Sequence, residues 1–444
     1  MTLPEPVRAC LDELESAGFE AWVVGGCVRD ALLGLTPKDY DICTLALPEQ
    51  TQAVFSHRRL VLAGVKHGTV GVVTEAGVVE VTTFRTEGGY QDNRHPDWVR
   101  FVPELKEDLA RRDFTVNAMA WSPSRGFADP FGGRADLESR LLRAVGDPRQ
   151  RFREDALRIL RGIRFCAVYG LRTEEKTLDA MLSQRALMER LAQERVFDEL
   201  CKFLPFARVE HLKSFAPILA QVIPELGPMI GFDQHSPHHA YDLYTHVAYV
   251  TTGVERELPL RWAALLHDIG KIPTFTQDET GRGHFYGHPA VGAQMAKEVL
   301  HRLRAPTALA EQVVVLIGNH MLRLTPDKKL LRRQCSRLGF DTVCQLLSLQ
   351  ESDMGSKGTC REEELAVYPE IRKQLIALQE EDSCMGLKDL AVDGNDLKAL
   401  GLAGREIGET LRDLLDQVME ERLPNERAAL LAWARKEHKE HLEG

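Results

Sequence analysis

No run of apolar residues in this chain approaches the roughly 18–20 that a membrane span needs. No CxxC pair occurs among its nine cysteines, and their number is odd. Both facts speak against a disulfide framework and for free thiols in a reducing cytoplasm. The opening Met1-Thr2-Leu3-Pro4-Glu5-Pro6 has neither the basic nor the apolar segment of a secretory signal, so a cytoplasmic protein is expected. Excess positive charge is lacking too: 56 Lys and Arg stand against 66 Asp and Glu, a net charge of −10. That balance excludes a coat of general nucleic-acid affinity, which rests on many phosphate-neutralising cations. It leaves room for a local basic surface. Internal repeats and low-complexity tracts are absent. What remains is 44% hydrophobic and 27% charged residues over 444 positions, enough for several packed domains and too apolar for wholesale disorder.

The first 145 residues alternate short β-rich runs with helical patterns. Phe19–Val24 reads as a strand, Gly25-Gly26 as a tight turn and Cys27–Leu33 as the start of a helix. Tyr40–Leu45 reads as a second strand, and Thr69–Thr74 with Val78–Phe84 as a hairpin. The polar, aromatic stretch Gly88–Pro96 reads as a mobile loop. From about Pro148 the alternation stops and helical periodicity runs to the C-terminus. The expectation is an α+β head followed by an all-α remainder, in which residues 235–320 hold nine of the fifteen histidines.

Chemistry concentrates first at the turn. Strand, Gly25-Gly26, then Val28-Arg29-Asp30 at a helix start would place backbone N–H groups and a guanidinium where a triphosphate can sit, with Gly26 and Arg29 the contacts. Asp39-Tyr40-Asp41 follows at the expected start of a strand, where residues i and i+2 share a face. Paired carboxylates facing a phosphate cradle are a standard holder for two Mg²⁺ ions in nucleotidyl transfer. Glu80, in Val79-Glu80-Val81, is a candidate third carboxylate; the alternative is an ordinary surface strand charge.

Gly25–Asp30 followed by Asp39-Tyr40-Asp41 resembles the opening of the class II tRNA nucleotidyltransferases, the CCA-adding enzymes, and of the related bacterial poly(A) polymerases. Arg111-Arg112-Asp113-Phe114-Thr115-Val116-Asn117-Ala118 is similar to that family's second motif, and Asp129-Pro130-Phe131-Gly132-Gly133 to its third, a hinge between head and neck. Glu154-Asp155-Ala156-Leu157-Arg158 resembles the fourth and Glu194–Glu199 the fifth. The resemblance implies that Arg112 and Asp113 meet the ribose, although their spacing alone would allow a plain ion pair.

Asp155 and Arg158 are i, i+3 neighbours if they share a helix, so both could face one pocket. A carboxylate accepts from the exocyclic amine of cytosine or adenine, and a guanidinium donates to the adjacent ring nitrogen. Uracil and guanine reverse both bonds. Such a pair can imitate a template base; the commoner role of an i, i+3 Asp–Arg pair is a helical salt bridge. Arg161 and Arg164 continue the spacing but drift around the helix, and the resemblance assigns them to the nucleotide site. Seven arginines between Arg143 and Arg164, against Asp147, Glu154 and Asp155, form the local basic surface that the net charge left open. A second basic group, Arg323, Lys328, Lys329, Arg332 and Arg333, suits either an RNA backbone or a solvated helix face.

The histidine-rich segment carries His246, then His267-Asp268 on an apolar helix, His288, His320 and Asp353. Imidazoles and carboxylates drawn from separate helices suit a divalent transition metal or Mg²⁺ in a bundle core. The pattern H…HD…H…H…D is similar to the HD superfamily of metal-dependent phosphohydrolases. In CCA-adding enzymes, that resemblance implies phosphatase or 2′,3′-cyclic phosphodiesterase chemistry on RNA 3′ ends. Leu390–Gly408 resembles a C-terminal tRNA-contacting region; a plain bundle end is the alternative.

The expected organisation is a nucleotidyltransferase head over 1–145, a base-recognising neck over 146–210, a helical body with the HD domain over 211–355 and a tRNA-binding tail over 356–444. The expected partners are a tRNA 3′ end with CTP and ATP, and no membrane or DNA. The expected activity is addition of C, C and A. An A-adding specialist or a poly(A) polymerase is the near alternative, and an HD phosphohydrolase with an inactive head the distant one.

Overall fold

The computed structural model describes residues 1–88, 98–237, 239–359, 362–380, 386–420 and 422–443. Of the loop expected at Gly88–Pro96, Gly88 instead pairs with Trp98 in a short antiparallel strand pair, and residues 89–96 lie outside the described ones. The chain divides into two compact units, one of residues 1–227 with 302–304, the other of residues 228–301 with 305–444.

The first unit is built on a seven-stranded sheet. Its strands are β1 (Ala21–Val24), β2 (Asp41–Thr44), β3 (Leu60–Val61), β4 (Thr69–Thr74), β5 (Gly77–Thr83), β6 (Ala120–Ser122) and β7 (Gly126–Ala128), in the order β3-β4-β5-β2-β1-β6-β7. All four residues of β1 are buried, as an Ala-Trp-Val-Val run in a central strand requires. The core beside it gathers Trp22, Val24, Cys43, Phe84, Leu109 and Ala120. The hairpin β4–β5 forms as expected, with Thr74 opposite Gly77. β2 then runs parallel to β5, with Asp41 beside Glu80. After β1 the chain turns at Gly25, with φ +77°, and enters α1 (Gly26–Leu32). Past the sheet come α2 (Pro148–Glu154), α3 (Leu157–Tyr169) and α4 (Gln193–Phe203). Asp147 caps α2 by accepting from Arg149 N at 3.0 Å, and Pro148 fills its first turn.

Among its described residues the second unit is helical, apart from the short pair Thr276–Gln277 with Gly283–His284. Likewise Leu141–Leu142 pairs in parallel with Arg172–Thr173 in the first unit. The remainder past Pro148 is therefore nearly, rather than wholly, α. Its main helices are α5 (Leu243–Gly253), α6 (Leu258–Leu266), α7 (His288–Arg302), α8 (Thr307–Asn319), α9 (Lys328–Leu338) and α10 (Phe340–Gly355). Seven successive residues of α6, Leu260–Leu266, are buried, the mark of a helix at the centre of a bundle. The segment from Leu390 to Ala434 closes over a small core of its own, with Leu397, Leu414 and Leu430 fully buried. Among the described residues no helix is long and apolar enough to cross a membrane.

Candidate active site and candidate metal centre

In the first unit a cleft of about 900 Å³ opens beside the Gly25 turn. Ten of the head and neck residues singled out from the sequence line it, Gly26, Arg29, Asp39, Asp41, Arg112, Asp113, Asp155, Arg158, Arg161 and Arg164, whereas Glu80 is not in its lining. Nine cationic side chains line it against five carboxylates, so this cleft in an acidic protein is a focus of positive charge.

The carboxylate pair differs from expectation in one respect. β2 starts at Asp41, so Asp39 precedes the strand and the shared-face argument does not apply to it. Asp39 nevertheless reaches the same cleft. Burial raises the Asp41 carboxyl; Arg112 opposes the rise, and Glu80 and Asp39 add to it, leaving it at about 6. A carboxylate crowded by like charges is relieved by a cation, which is the behaviour of a metal ligand. Glu80 joins this group through the strand register.

The cations are held in place by partners the sequence did not announce. Arg29 donates to Asn117 Oδ1 at 2.6 Å, to Asp30 Oδ1 at 2.9 and 2.7 Å and to the Tyr169 hydroxyl at 2.5 Å, and lies over the Tyr169 ring at 4.1 Å. Arg112 lies over the Gly25 turn, where a Cβ on residue 25 would come within 2.8 Å of its Nη1. Arg112 also reaches the fully buried Asp108 at 3.5 Å, whose other oxygen accepts from Arg111 at 3.0 and 2.9 Å. Asp113 accepts from Phe114 N and Asn117 Nδ2 through one oxygen, and from Arg161 at 2.8 and 2.7 Å through the other. Those four bonds occupy its acceptor positions, so a ribose hydroxyl would have to share one of them.

The expected Asp155–Arg158 helix pair is corrected by the structure. The helix breaks at Asp155, which is extended (φ −145°, ψ 106°) between α2 and α3. Arg158 pairs instead with Glu154 at 2.9 Å and donates to Arg111 O at 2.9 Å. Asp155 accepts from Leu157 N at 2.9 Å and from Arg195 at 3.3 Å. Each Asp155 oxygen retains a lone pair, and Arg158, with three N–H groups engaged, retains two. Acceptor and donor thus share one cleft from two separate segments. Arg195, on α4 forty residues away, was missed, although it stands inside the fifth motif. Arg164 pairs with the buried Glu199 at 2.6 Å and lies 4.3 Å over the Phe165 ring.

The six predicted ligands of the second unit converge. His246 lies in α5, His267 and Asp268 follow α6, His288 opens α7, His320 follows α8 and Asp353 stands in the last turn of α10. Asp268 Oδ2 is 3.6 Å from His246 Nε2 and 3.2 Å from His267 Nε2, while Oδ1 is 3.5 Å from His288 Nε2 and 3.9 Å from His320 Nε2. Asp353 reaches His246 Nε2 at 3.0 Å. In all four rings Nδ1 faces a main-chain carbonyl, of Ser356, Ala264, Phe285 and Ile317 respectively, at 2.7 to 3.3 Å. That contact fixes the tautomer and turns the Nε2 lone pair inward, as a metal-binding imidazole needs. The inward Nε2 atoms of His246 and His267 have no hydrogen-bond partner despite complete burial. The residues therefore fit two subsites, His246–His267–Asp268 and Asp268–His288–His320, sharing one carboxylate. Gly270 permits this convergence: a Cβ there would fall 2.3 Å from His288 O.

The second basic group is partly a brace. Arg332 is buried and donates to Met419 O at 3.0 Å, and Arg333 pairs with Glu420.

Residues 21–143 match the family model of the poly A polymerase head domain, and residues 243–350 that of the HD domain. A CCA-adding enzyme of Limosilactobacillus fermentum is 50% identical over 206 residues, 46% of this chain and 51% of that protein. At this level of likeness the chain spans about half the length of the curated relatives it matches. A CCA-adding enzyme of Levilactobacillus brevis is 34% identical over 436 residues, 96% of each chain. The solved CCA-adding enzyme of Bacillus stearothermophilus in complex with CTP is 27% identical over 100% of both chains, with a TM-score of 0.71. The Thermotoga maritima CCA-adding enzyme complexed with tRNA-CCA, 20% identical with a TM-score of 0.60 over 97% of this chain and 95% of that one, shares the fold.

Proposed function

Because this chain belongs to the CCA-adding enzyme family, we propose that it adds C, C and A in turn to the 3′ end of tRNA, using CTP and ATP without a nucleic-acid template. The observation that carries this reading is the single positively charged cleft in which two carboxylates, a glycine turn and a donor–acceptor pair meet. Asp39 and Asp41 would hold Mg²⁺, with Glu80 beside them. Bound Mg²⁺ would favour deprotonation of the attacking 3′-hydroxyl and neutralise the departing pyrophosphate. Gly26 and Arg29 bind the triphosphate, Arg112 and Asp113 flank the ribose, and Arg161 and Arg164 maintain the positive wall. Asp155 accepts from the exocyclic amine of C or A while Arg158 donates to the ring nitrogen. A base with the reversed pattern leaves both mispaired in a confined site, at about 1–3 kcal/mol for each unsatisfied group.

The segments 1–145, 146–210, 211–355 and 356–444 then serve as catalytic head, base-reading neck, metal-bearing body and tRNA-binding tail. The test uses three tRNA transcripts, ending at the discriminator base, at C and at CC, each given CTP, ATP, UTP or GTP alone and then CTP with ATP. C, C and A followed by a stop supports the reading. Addition to the CC transcript alone makes it an A-adding specialist, and unlimited A makes it a poly(A) polymerase. No incorporation refutes the cleft as a transferase site.

The six-ligand cluster carries a second reading, a phosphohydrolase acting on phosphate esters at RNA 3′ ends. A divalent metal there would polarise a phosphoryl oxygen and activate water. Hydrolysis of a 2′,3′-cyclic phosphate that survives Asp39→Ala and Asp41→Ala, and is lost in Asp268→Ala, would support it. Survival in Asp268→Ala would refute it.

A further inference from the structure

Beside the histidine cluster lie three side chains that hold no place in its ligand set. Lys271, 7% exposed, is ion-paired with Asp268, Nζ to Oδ2 2.8 Å, and donates to Gln234 Oε1 at 2.9 Å. Gln234 is 1% exposed, and its Nε2 has no hydrogen-bond partner. His239 stands edge-on to His246 with ring centroids 5.1 Å apart, and its buried Nδ1 is likewise without a partner. Four buried polar atoms without a hydrogen-bond partner stand in this one neighbourhood: those of Gln234, His239, His246 and His267. Buried polar atoms left unpaired are costly, and their concentration marks a place built for something else. The metal ligands His246 and His267 account for two of the four. Gln234 and His239 are not explained by a metal.

We propose that Lys271, Gln234 and His239 form a phosphoryl-binding pocket at the edge of the metal centre, gripping the non-bridging oxygens of a phosphate ester. The inference rests on the reading of that centre as a phosphohydrolase. Because Lys271 donates to Gln234 Oε1, the amide is oriented with its N–H₂ group as the unspent end. Lys271 has three N–H donors, of which one is committed to Gln234 Oε1, while its charge is paired with Asp268. With His239 against His246, three polar side chains from two chain segments border the cluster, and their N–H groups suit an oxyanion. Charge points the same way. Asp268 and Asp353 are the only carboxylates among the six ligands. Two divalent cations together with Lys271 leave an excess of three positive charges there, and a single cation leaves one. An anion is therefore the substrate this site neutralises. A neutral ester or a cationic amine would leave both the excess charge and the unpaired donors uncorrected.

The test measures binding of inorganic phosphate by calorimetry to the full chain loaded with manganese, in an Asp39→Asn, Asp41→Asn background that removes the metal site of the head. Manganese content is counted in every sample. Gln234→Met removes the donor that faces phosphate without adding a charge, and leaves Lys271 its ion pair with Asp268. His239→Phe keeps the ring edge against His246 and removes its nitrogens. Each is expected to weaken phosphate binding at least tenfold with manganese content unchanged. Phosphate affinity within twofold of the parent in either variant, at full manganese occupancy, overturns the pocket. So does a manganese-loaded parent that binds no phosphate. A parent that takes up no manganese overturns instead the metal-centre reading beneath it, so the two failures are distinguishable.

Discussion

Asp113 offers the sharpest test of how the nucleotide cleft is built. Its carboxylate is 7% exposed and holds Arg161 through two bonds while accepting from Asn117 and from Phe114 N. Substitution by asparagine keeps the shape, but turns an amide donor or a neutral oxygen toward a guanidinium. Breaking a buried ion pair by removing one partner costs about 3–5 kcal/mol. The Arg161 side chain is 36% exposed and recovers some hydration, so a loss of about 2–3 kcal/mol is expected. At about 2–4 °C per kcal/mol for a unit of this size, the melting transition of the first unit falls by roughly 4–12 °C, read by scanning calorimetry. Adding Arg161→Met to Asp113→Asn costs little more, because the stranded cation is gone.

The pH dependence has a definite sign. Burial alone would raise the Asp113 carboxyl, but Arg161, the bond from Asn117 and the Arg158 charge outweigh it and hold the group well below the usual carboxylate range. A depressed acid contributes stability that is complete above its unfolded value, about 3.9, and is lost as the pH falls through the folded one. The advantage of the parent over Asp113→Asn is therefore constant above about pH 5 and shrinks below about pH 4. A melting shift under 2 °C at pH 7 would refute the view that the Asp113–Arg161 pair is part of the framework.

Three further perturbations address separate parts of the molecule. Arg195→Ala frees the Asp155 carboxylate, and the preference for CTP over UTP, read as a ratio of kcat/KM, should fall about tenfold, equivalent to about 1.4 kcal/mol; an unchanged ratio would mean that Arg195 has no part in base reading. Gly270→Ala places a Cβ 2.3 Å from His288 O and 2.5 Å from Gly292 N, displacing the start of α7. Metal content by mass spectrometry should drop while nucleotide incorporation persists. Replacing Asp41 by alanine should cut incorporation at least a thousandfold with the melting profile of the second unit unmoved, and a smaller loss would put the metal-holding role in doubt.

Much of this site is written in local patterns. The Val-Val-Gly-Gly turn, the β4–β5 hairpin and the His267-Asp268 step after an apolar helix each declare themselves within one short stretch, because side-chain period and glycine placement act locally. The ligand set of the second unit was legible through its H…HD…H…H…D pattern and the resemblance which that pattern carries. What stayed hidden depends on contacts across the chain. Nothing in Glu154-Asp155-Ala156 signals a helix break, for neither proline nor glycine is present; Leu157 N and Arg195 hold the extended Asp155. Lys271 stands one turn after Asp268 in plain view, but its link to Gln234 spans 37 residues. Spacing showed which groups could meet, and the partners that fix their directions came from elsewhere.

An arginine on a loop must surrender up to about 2 kcal/mol of rotamer freedom when it grips a ligand, and the ligand's affinity is reduced by that amount. Arg29 surrendered it when the chain folded: Asn117, Asp30 and Tyr169 already restrain its guanidinium, and the Tyr169 ring lies against its face. A phosphate arriving at the turn therefore meets a cation in a set position. The cleft is rigid where it would touch the part common to every nucleoside triphosphate. At Asp155 and Arg158, whose partners lie on different segments, it is assembled from separate pieces.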